Sequence, residues 1–208
     1  VAKFIFGGSF NPVHKGHIDP LLALQKRYHI PHIELLPNAV SPFKLQQQTL
    51  SNKHRLAMLK IATAETSGLS INTHEINASG ISYTYKSIIA LSKNTEKLFF
   101  IMGMDSFLSF PNWKEYGQIL NNCCLIVLPR PAQLESDINL LPEDLQNRLA
   151  FDFNIKNAYT TGKIYLVETP LLAVSSSQIR TELKKGNKQI KYIDPSVLNY
   201  INNHHLYV

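Results

Sequence analysis

Cysteine is nearly absent from this chain. Of 208 residues only Cys123 and Cys124 are cysteines, and they are neighbours. They lie in an apolar run, Cys123 to Leu128, that reads as a buried strand. Adjacent thiols in such a strand form neither a disulfide framework nor a zinc site. Long apolar runs are lacking too, and none reaches the ~18 residues of a membrane span. The first residues read at once as a strand, without the basic, apolar and small-residue layout of a secretory signal. We therefore expect a protein of the reducing cytoplasm with no membrane partner. Acidic residues are few, 15 against 21 Lys and Arg, which leaves a net charge of +6. The basic residues are scattered, and no DNA- or RNA-binding motif accompanies them. Such an excess suits phosphorylated small molecules, and we expect no nucleic-acid partner. Two common phosphate loops, G-x-G-x-x-G and the Walker P-loop, are also missing.

What is present is an ordinary globular composition, 44% hydrophobic, in a length that suits one large domain. A chain of this size buries roughly 70% of its unfolded surface, enough for a substantial core. Strand-like and helix-like segments alternate along it. Lys3–Phe6 is short, aromatic and β-branched, the pattern of a buried strand. Residues 18–28 carry apolar positions at helical spacing, and 32–37 read as a second strand, so the chain opens with a βαβ unit. Further strands are expected over 69–77, 97–102, 125–128 and 163–167. Helices are expected over 51–65, 82–92, 105–110, 113–121, 142–151, 176–185 and 195–203. In the 51–65 helix, Leu56, Leu59 and Ile61 mark the packing face, and Ser82 is placed as the cap of the 82–92 helix. The expected class is α/β, a Rossmann-like, doubly wound, mostly parallel sheet covered on both faces. We expect one domain over residues 1–208, with a C-terminal helical part from about residue 172.

The chemistry gathers first in Lys3-Phe-Ile-Phe-Gly-Gly-Ser-Phe-Asn-Pro-Val-His-Lys-Gly-His17. Gly7 and Gly8 lack a Cβ, so backbone N–H groups there can approach a ligand. Pro12 stands near a helix start, where its missing N–H matters little. His14 and His17 are three apart, and on a first helical turn they face the same way. A glycine turn alone is usually only a turn, and an H-x-x-H alone is usually surface or core. Together, between a strand and a helix, they make a polyphosphate site of N–H groups, dipole end and imidazole donors. Three other loops fall at the same edge of the expected sheet: 37–44, 103–105 and 175–180.

GGSFNPVHKGH resembles the G-x-F-x-P-x-H-x-G-H signature of the nucleotidyltransferase superfamily, and within it the bacterial nicotinate-nucleotide adenylyltransferases. SSSQIR, residues 175–180, is similar to the second signature of that superfamily, I-S-S-T-x-I-R. The SYT at 82–84, the GMDS at 103–106 and the FPNW at 110–113 are similar to pieces of the nicotinate branch. The likeness spans nearly the whole chain. It implies transfer of AMP from ATP to nicotinate mononucleotide, giving deamido-NAD and pyrophosphate, with Mg²⁺ held mainly by substrate phosphates. It implies ATP binding by Gly7, Gly8, Ser9, Phe10, His14, His17, Gly103, Asp105, Ser175, Ser176, Ser177 and Arg180. It implies acceptor binding by Ser9, Phe10, Asn38, Lys44, Ser82, Tyr83, Thr84 and Trp113. In that reading Trp113, the only tryptophan, stacks on the pyridine ring, and the helix start at Ser82–Thr84 meets the nicotinate carboxylate.

The catalytic set implied is His14, His17, Lys44 and Arg180, with His17 nearest the transferred phosphorus and Lys44 and Arg180 on the outer phosphates. The acceptor phosphate is already anionic, so positioning and charge neutralisation carry the reaction without a strong base. Two departures stand out: Asn11 where many relatives have Asp, and Phe43 where the family usually has His. Arg130 resembles an R-P at a strand end; it either shapes the site or makes a structural ion pair. Two alternatives remain at this level. One is another branch, acting on nicotinamide mononucleotide, phosphopantetheine or a cytidylyl substrate. The other is a nucleotide- or nucleic-acid-binding protein without catalysis. Monomer and homo-oligomer fit the sequence equally.

Overall fold

A computed structural model of the chain describes residues 2–40, 42, 50–78, 80–128, 138–170 and 172–208. Its centre is β1 (Ala2–Gly8). The other strands are β2 (Ile33–Pro37), β3 (Leu69–Ile71), β4 (Lys97–Gly103), β5 (Cys124–Leu128), β6 (Leu149–Ala150) and β7 (Ile164–Leu166). They form one sheet in the order β3-β2-β1-β4-β5-β7-β6. All neighbours pair parallel.

Side chains alternate across this sheet, and both faces are covered. Phe4 and Phe6 enter one apolar cluster with Phe99, Ile101, Cys124 and Ile126. Ile5 enters the other with Phe100, Met102, Leu125 and Val127. Phe4 stacks on Phe99, ring centroids 4.7 Å apart. The adjacent cysteines are thereby split, Cys123 to one cluster and Cys124 to the other, and both are free thiols. Burial pushes both thiols up in pKa, which keeps them protonated and unreactive.

The helices are α1 (Lys15–Tyr28), α2 (Asn52–Thr63), α3 (His74–Asn77), α4 (Thr84–Ser92), α5 (Met104–Leu108), α6 (Tyr116–Asn122), α7 (Glu143–Gln146), α8 (Ser176–Lys184) and α9 (Pro195–Asn203), with a 3₁₀ turn at Phe110–Asn112. Among the described residues no helix is long and apolar enough to cross a membrane. The chain winds from β1 outward through β2 to β3, then returns to lay β4 on the other side of β1. That reversal opens a crevice at the carboxyl ends of β1 and β4, the usual ligand position in such sheets.

Several expected elements differ. The strand expected over 69–77 stops at Ile71, because Asn72 Oδ1 accepts from His74 N at 2.9 Å and turns the chain into α3. The helix expected over 142–151 ends at Gln146; Leu149 and Ala150 then pair with Ile164 and Tyr165, satisfying the otherwise open edge of β7. The 113–121 helix begins only at Tyr116, after Glu115 adopts a left-handed backbone, φ 55°. Ser82 does not cap α4: its hydroxyl accepts from Ala39 N at 2.8 Å, and Tyr83 takes the cap position. The buried face of α2 is rotated from the expected one, towards Arg55, Met58 and Leu59, with Leu56 and Ile61 only half-buried.

Candidate active site

The turn after β1 is built by close ring packing. A Cβ on Gly7 would lie 2.5 Å from the Phe100 ring, and one on Gly8 2.8 Å from the Phe10 ring. Glycine is therefore required for packing as much as for ligand approach. Phe10 has a left-handed backbone, φ 47°, and the following Asn11–Pro12 peptide bond is cis. Full burial of the Phe10 ring offsets the backbone cost of about 1–2 kcal/mol.

His14 is the N-cap of α1, and His17 is in its first turn. Their rings lie 3.7 Å apart, centroid to centroid. His17 Nδ1 accepts from His14 N at 3.2 Å. A neutral imidazole that accepts at Nδ1 carries its proton on Nε2, so His17 presents Nε2–H as a donor. The edge of His17 packs against Phe10 at 5.2 Å, which restrains the ring.

Later parts of the chain hold this turn by its carbonyls. Arg55 Nη1 donates to Ser9 O at 2.7 Å, Arg180 Nη1 to Asn11 O at 2.8 Å, and Ser176 Oγ to Pro12 O at 2.9 Å. Tyr207 closes the set through the Asn11 side chain. Arg55 is 2% exposed and also donates to Asn38 Oδ1 and to the Asn38 and Ala39 carbonyls, joining the loops after β1 and β2. Burial pushes its guanidinium pKa down, yet an arginine keeps its charge at neutral pH. Asn38 in turn donates to Ser9 Oγ at 3.2 Å.

Two cavities open at this edge. The first, about 300 Å³, is lined by Phe10, His14, His17, Asp105 and the start of α8 with Ser175–Ser177 and Arg180. There Ser175 caps α8 reciprocally with Gln178, while Arg180 Nη2 donates to Ser177 Oγ at 3.1 Å. The helix presents its free N–H groups beside the histidines, a setting for polyanionic phosphate. The second cavity, about 370 Å³, is lined by Asn38, Ser82, Tyr83, Thr84 and Trp113. Trp113 is set by edge contacts to Phe100 and Phe110 and by a bond from Nε1 to Ser109 Oγ. The cavities share a wall of Gly7, Gly8, Ser9 and Ser106.

The structure thus brings together all the expected site residues but one. Lys44 lies outside the described residues, as do Phe43 and Arg130. Sequence reasoning passed over four others. Arg55 had a visible signal, since it shares a helical stripe with Met58, Leu59 and Ala62. Glu75 lines the second cavity while 6% exposed; it accepts from Ser87 Oγ at 2.7 Å, and burial pushes its carboxyl pKa up. Tyr207 and Lys114 gave no local signal.

Residues 5–182 match the cytidylyltransferase-like family. The chain is 35% identical to the nicotinate-nucleotide adenylyltransferase of Salmonella typhimurium, over 98% of this chain and 97% of that protein. It is equally similar to the enzyme of that name from Salmonella typhi, with the same coverage. Its fold is similar to that of Plasmodium falciparum nicotinic acid mononucleotide adenylyltransferase, solved as complexes with APC and with NaAD. The TM-score is 0.69 for both, at 23% and 22% identity, covering 99% of this chain and 96% and 97% of those chains. At that identity the structures speak for the fold alone. The crevice at β1 and β4, the two signatures that meet there and the full-length likeness agree: the chain belongs to the nicotinate-nucleotide adenylyltransferase family of cytidylyltransferase-like nucleotidyltransferases.

Proposed function

We propose that the chain transfers the AMP moiety of ATP to nicotinate mononucleotide, forming deamido-NAD and releasing pyrophosphate, a step of NAD biosynthesis. The observation that carries this reading is the shared wall at Gly7–Ser9. It lets one substrate's phosphate meet the other's across a few ångströms. ATP takes the cavity of His14, His17 and the start of α8; the acceptor takes the cavity of Trp113 and the start of α4. An oxygen of the acceptor phosphate attacks the α-phosphorus, and the bond to the bridging β-oxygen breaks. The electron pair leaves with pyrophosphate.

His17 Nε2–H donates to the α-phosphoryl oxygens, where negative charge shifts during transfer. His14, Arg180, Lys44 and Ser175–Ser177 neutralise and hold the rest of the triphosphate. Asp105 accepts from ribose hydroxyls. Asp105 is the one carboxylate on the described wall of the ATP cavity, so that wall is no carboxylate cage for a metal. Mg²⁺ fits such a donor set as the partner of ATP, held mainly by phosphate oxygens and water and neutralising their charge. Val197, Ile201 and Leu206 pack in the same cluster as β1, which supports reading residues 1–208 as one domain. The buried free thiols suit a reducing compartment, and we place the enzyme in the cytoplasm.

The test is pyrophosphate release from Mg-ATP with nicotinate mononucleotide, nicotinamide mononucleotide and phosphopantetheine offered separately. Strong preference for the first is expected. Preference for another acceptor would reassign the Trp113 cavity, and no release with any would overturn the catalytic reading.

A further inference from the structure

The acceptor cavity must tell a carboxylate from a carboxamide, and this inference rests on the acceptor being nicotinate mononucleotide. The two groups have nearly the same shape and differ by one charge. Backbone N–H groups at the start of α4 and the hydroxyl of Thr84 donate to either one, because an amide oxygen accepts as a carboxylate oxygen does. Neutral donors alone therefore separate them weakly. The cavity wall also carries Glu75, a buried carboxyl that brings no positive charge to the site. A cation is needed.

Among the described residues lining this cavity, one is positively charged: Lys114. It follows Trp113 directly, so the residue at the ring and the cation at its rim are carried by one stretch of backbone. Its Nζ stands over the ring of Tyr83, 4.8 Å from the centroid. Tyr83 is the N-cap residue of α4, at the helix end already assigned to the carboxylate. A cation over an aromatic face is held without losing its N–H donors to another protein acceptor. Lys86 also lies over Tyr83, at 5.9 Å, but it is not part of the cavity wall.

We propose that Lys114 is a specificity-determining residue: held on Tyr83, its ammonium pairs with the carboxylate of the acceptor's pyridine ring and so selects nicotinate over nicotinamide. The pairing adds a charge-assisted bond that the carboxamide cannot match in strength.

The experiment measures kcat and KM for both mononucleotides in the wild type, Lys114→Met, Lys114→Arg and, as a control, Lys86→Met. Lys114→Met should raise KM for nicotinate mononucleotide about 10- to 100-fold, the range for losing a hydrogen bond to a charged group. Its kcat should change little, and its KM for nicotinamide mononucleotide should not rise. Lys114→Arg should keep most of the preference, and Lys86→Met should match the wild type. An unchanged preference in Lys114→Met, or equal losses on both acceptors, would overturn the proposal. A wild-type chain that ignores nicotinate mononucleotide would overturn the functional reading itself, and this inference with it.

Discussion

The Tyr207 hydroxyl donates to Asn11 Oδ1 at 2.6 Å, joining positions 196 residues apart. Tyr207 thereby holds the side chain of the turn that lines the cavity of His14 and His17. This gives a role to Asn11, which stands where the family resemblance leads to aspartate: as an amide it accepts this bond without adding a buried charge. Tyr207→Phe should lower stability by about 1 kcal/mol, the net worth of one such bond. It should also lower kcat more than it changes KM for either substrate. Thermal unfolding and pyrophosphate-release kinetics check both.

The same contact has a pH signature. Burial pushes the Tyr207 phenol well above its ordinary value, against the opposing charges of Arg180 and Arg55. The folded chain then holds a proton that the unfolded chain gives up above about pH 10. Stability from this group is complete below that pH and is lost as pH rises through it towards the folded value. Urea midpoints at about pH 9 and pH 10.5 should fall less steeply in Tyr207→Phe than in the wild type.

His17 is expected to act through Nε2–H. His17→Ala should cut kcat by about 100-fold or more, the scale of losing one donor to developing charge. Its melting temperature should stay close to that of the wild type. His17→Gln, which sets an amide N–H near the Nε2 position, should retain more activity than alanine. Near-normal turnover in His17→Ala would end this assignment.

Arg55 holds three carbonyls and two amide oxygens, those of Asn38 and Asn52, with one buried guanidinium. Arg55→Met would leave those oxygens without donors, and should cost about 3–5 kcal/mol. Lysine offers no planar fork, so Arg55→Lys should recover only part of the loss. Chemical denaturation measures the series.

The glycines of the site should separate by steric environment. Gly7→Ala should destabilise by about 1–3 kcal/mol, because Phe100 cannot retreat inside a packed sheet. Gly103 also lines the cavity of His14 and His17, yet a Cβ there meets nothing within 4 Å, and φ is −78°. Gly103→Ala should leave the melting temperature almost unchanged.

Much of this was legible in one dimension. The strand at 97–102 and the helix at 195–203 were readable because burial on both sheet faces and a Pro at N1 leave local marks. Two of the failures were local preferences overruled by distant partners. Ser82 is a good cap by type, but Ala39 claims its hydroxyl. Residues 149–150 continue a helical pattern, but the edge of β7 offers them a ladder.

The site divides along the same line. His14, His17, the glycines and the serines of 175–177 lie in two short segments, the first read as a phosphate turn from its residues and the second singled out by its resemblance to a superfamily signature. Glu75, Lys114 and Tyr207 carry no such spacing, because each acts on a partner far away in sequence. By itself, the sequence determined the α/β class and the family. Only the tertiary structure decided that Arg55, Arg180, Ser176 and Tyr207 converge on one turn, and that Lys114 stands over Tyr83. The physical reason is that hydrogen bonds and charge pairs depend on distance in space, and long-range distances exist only once the sheet has assembled.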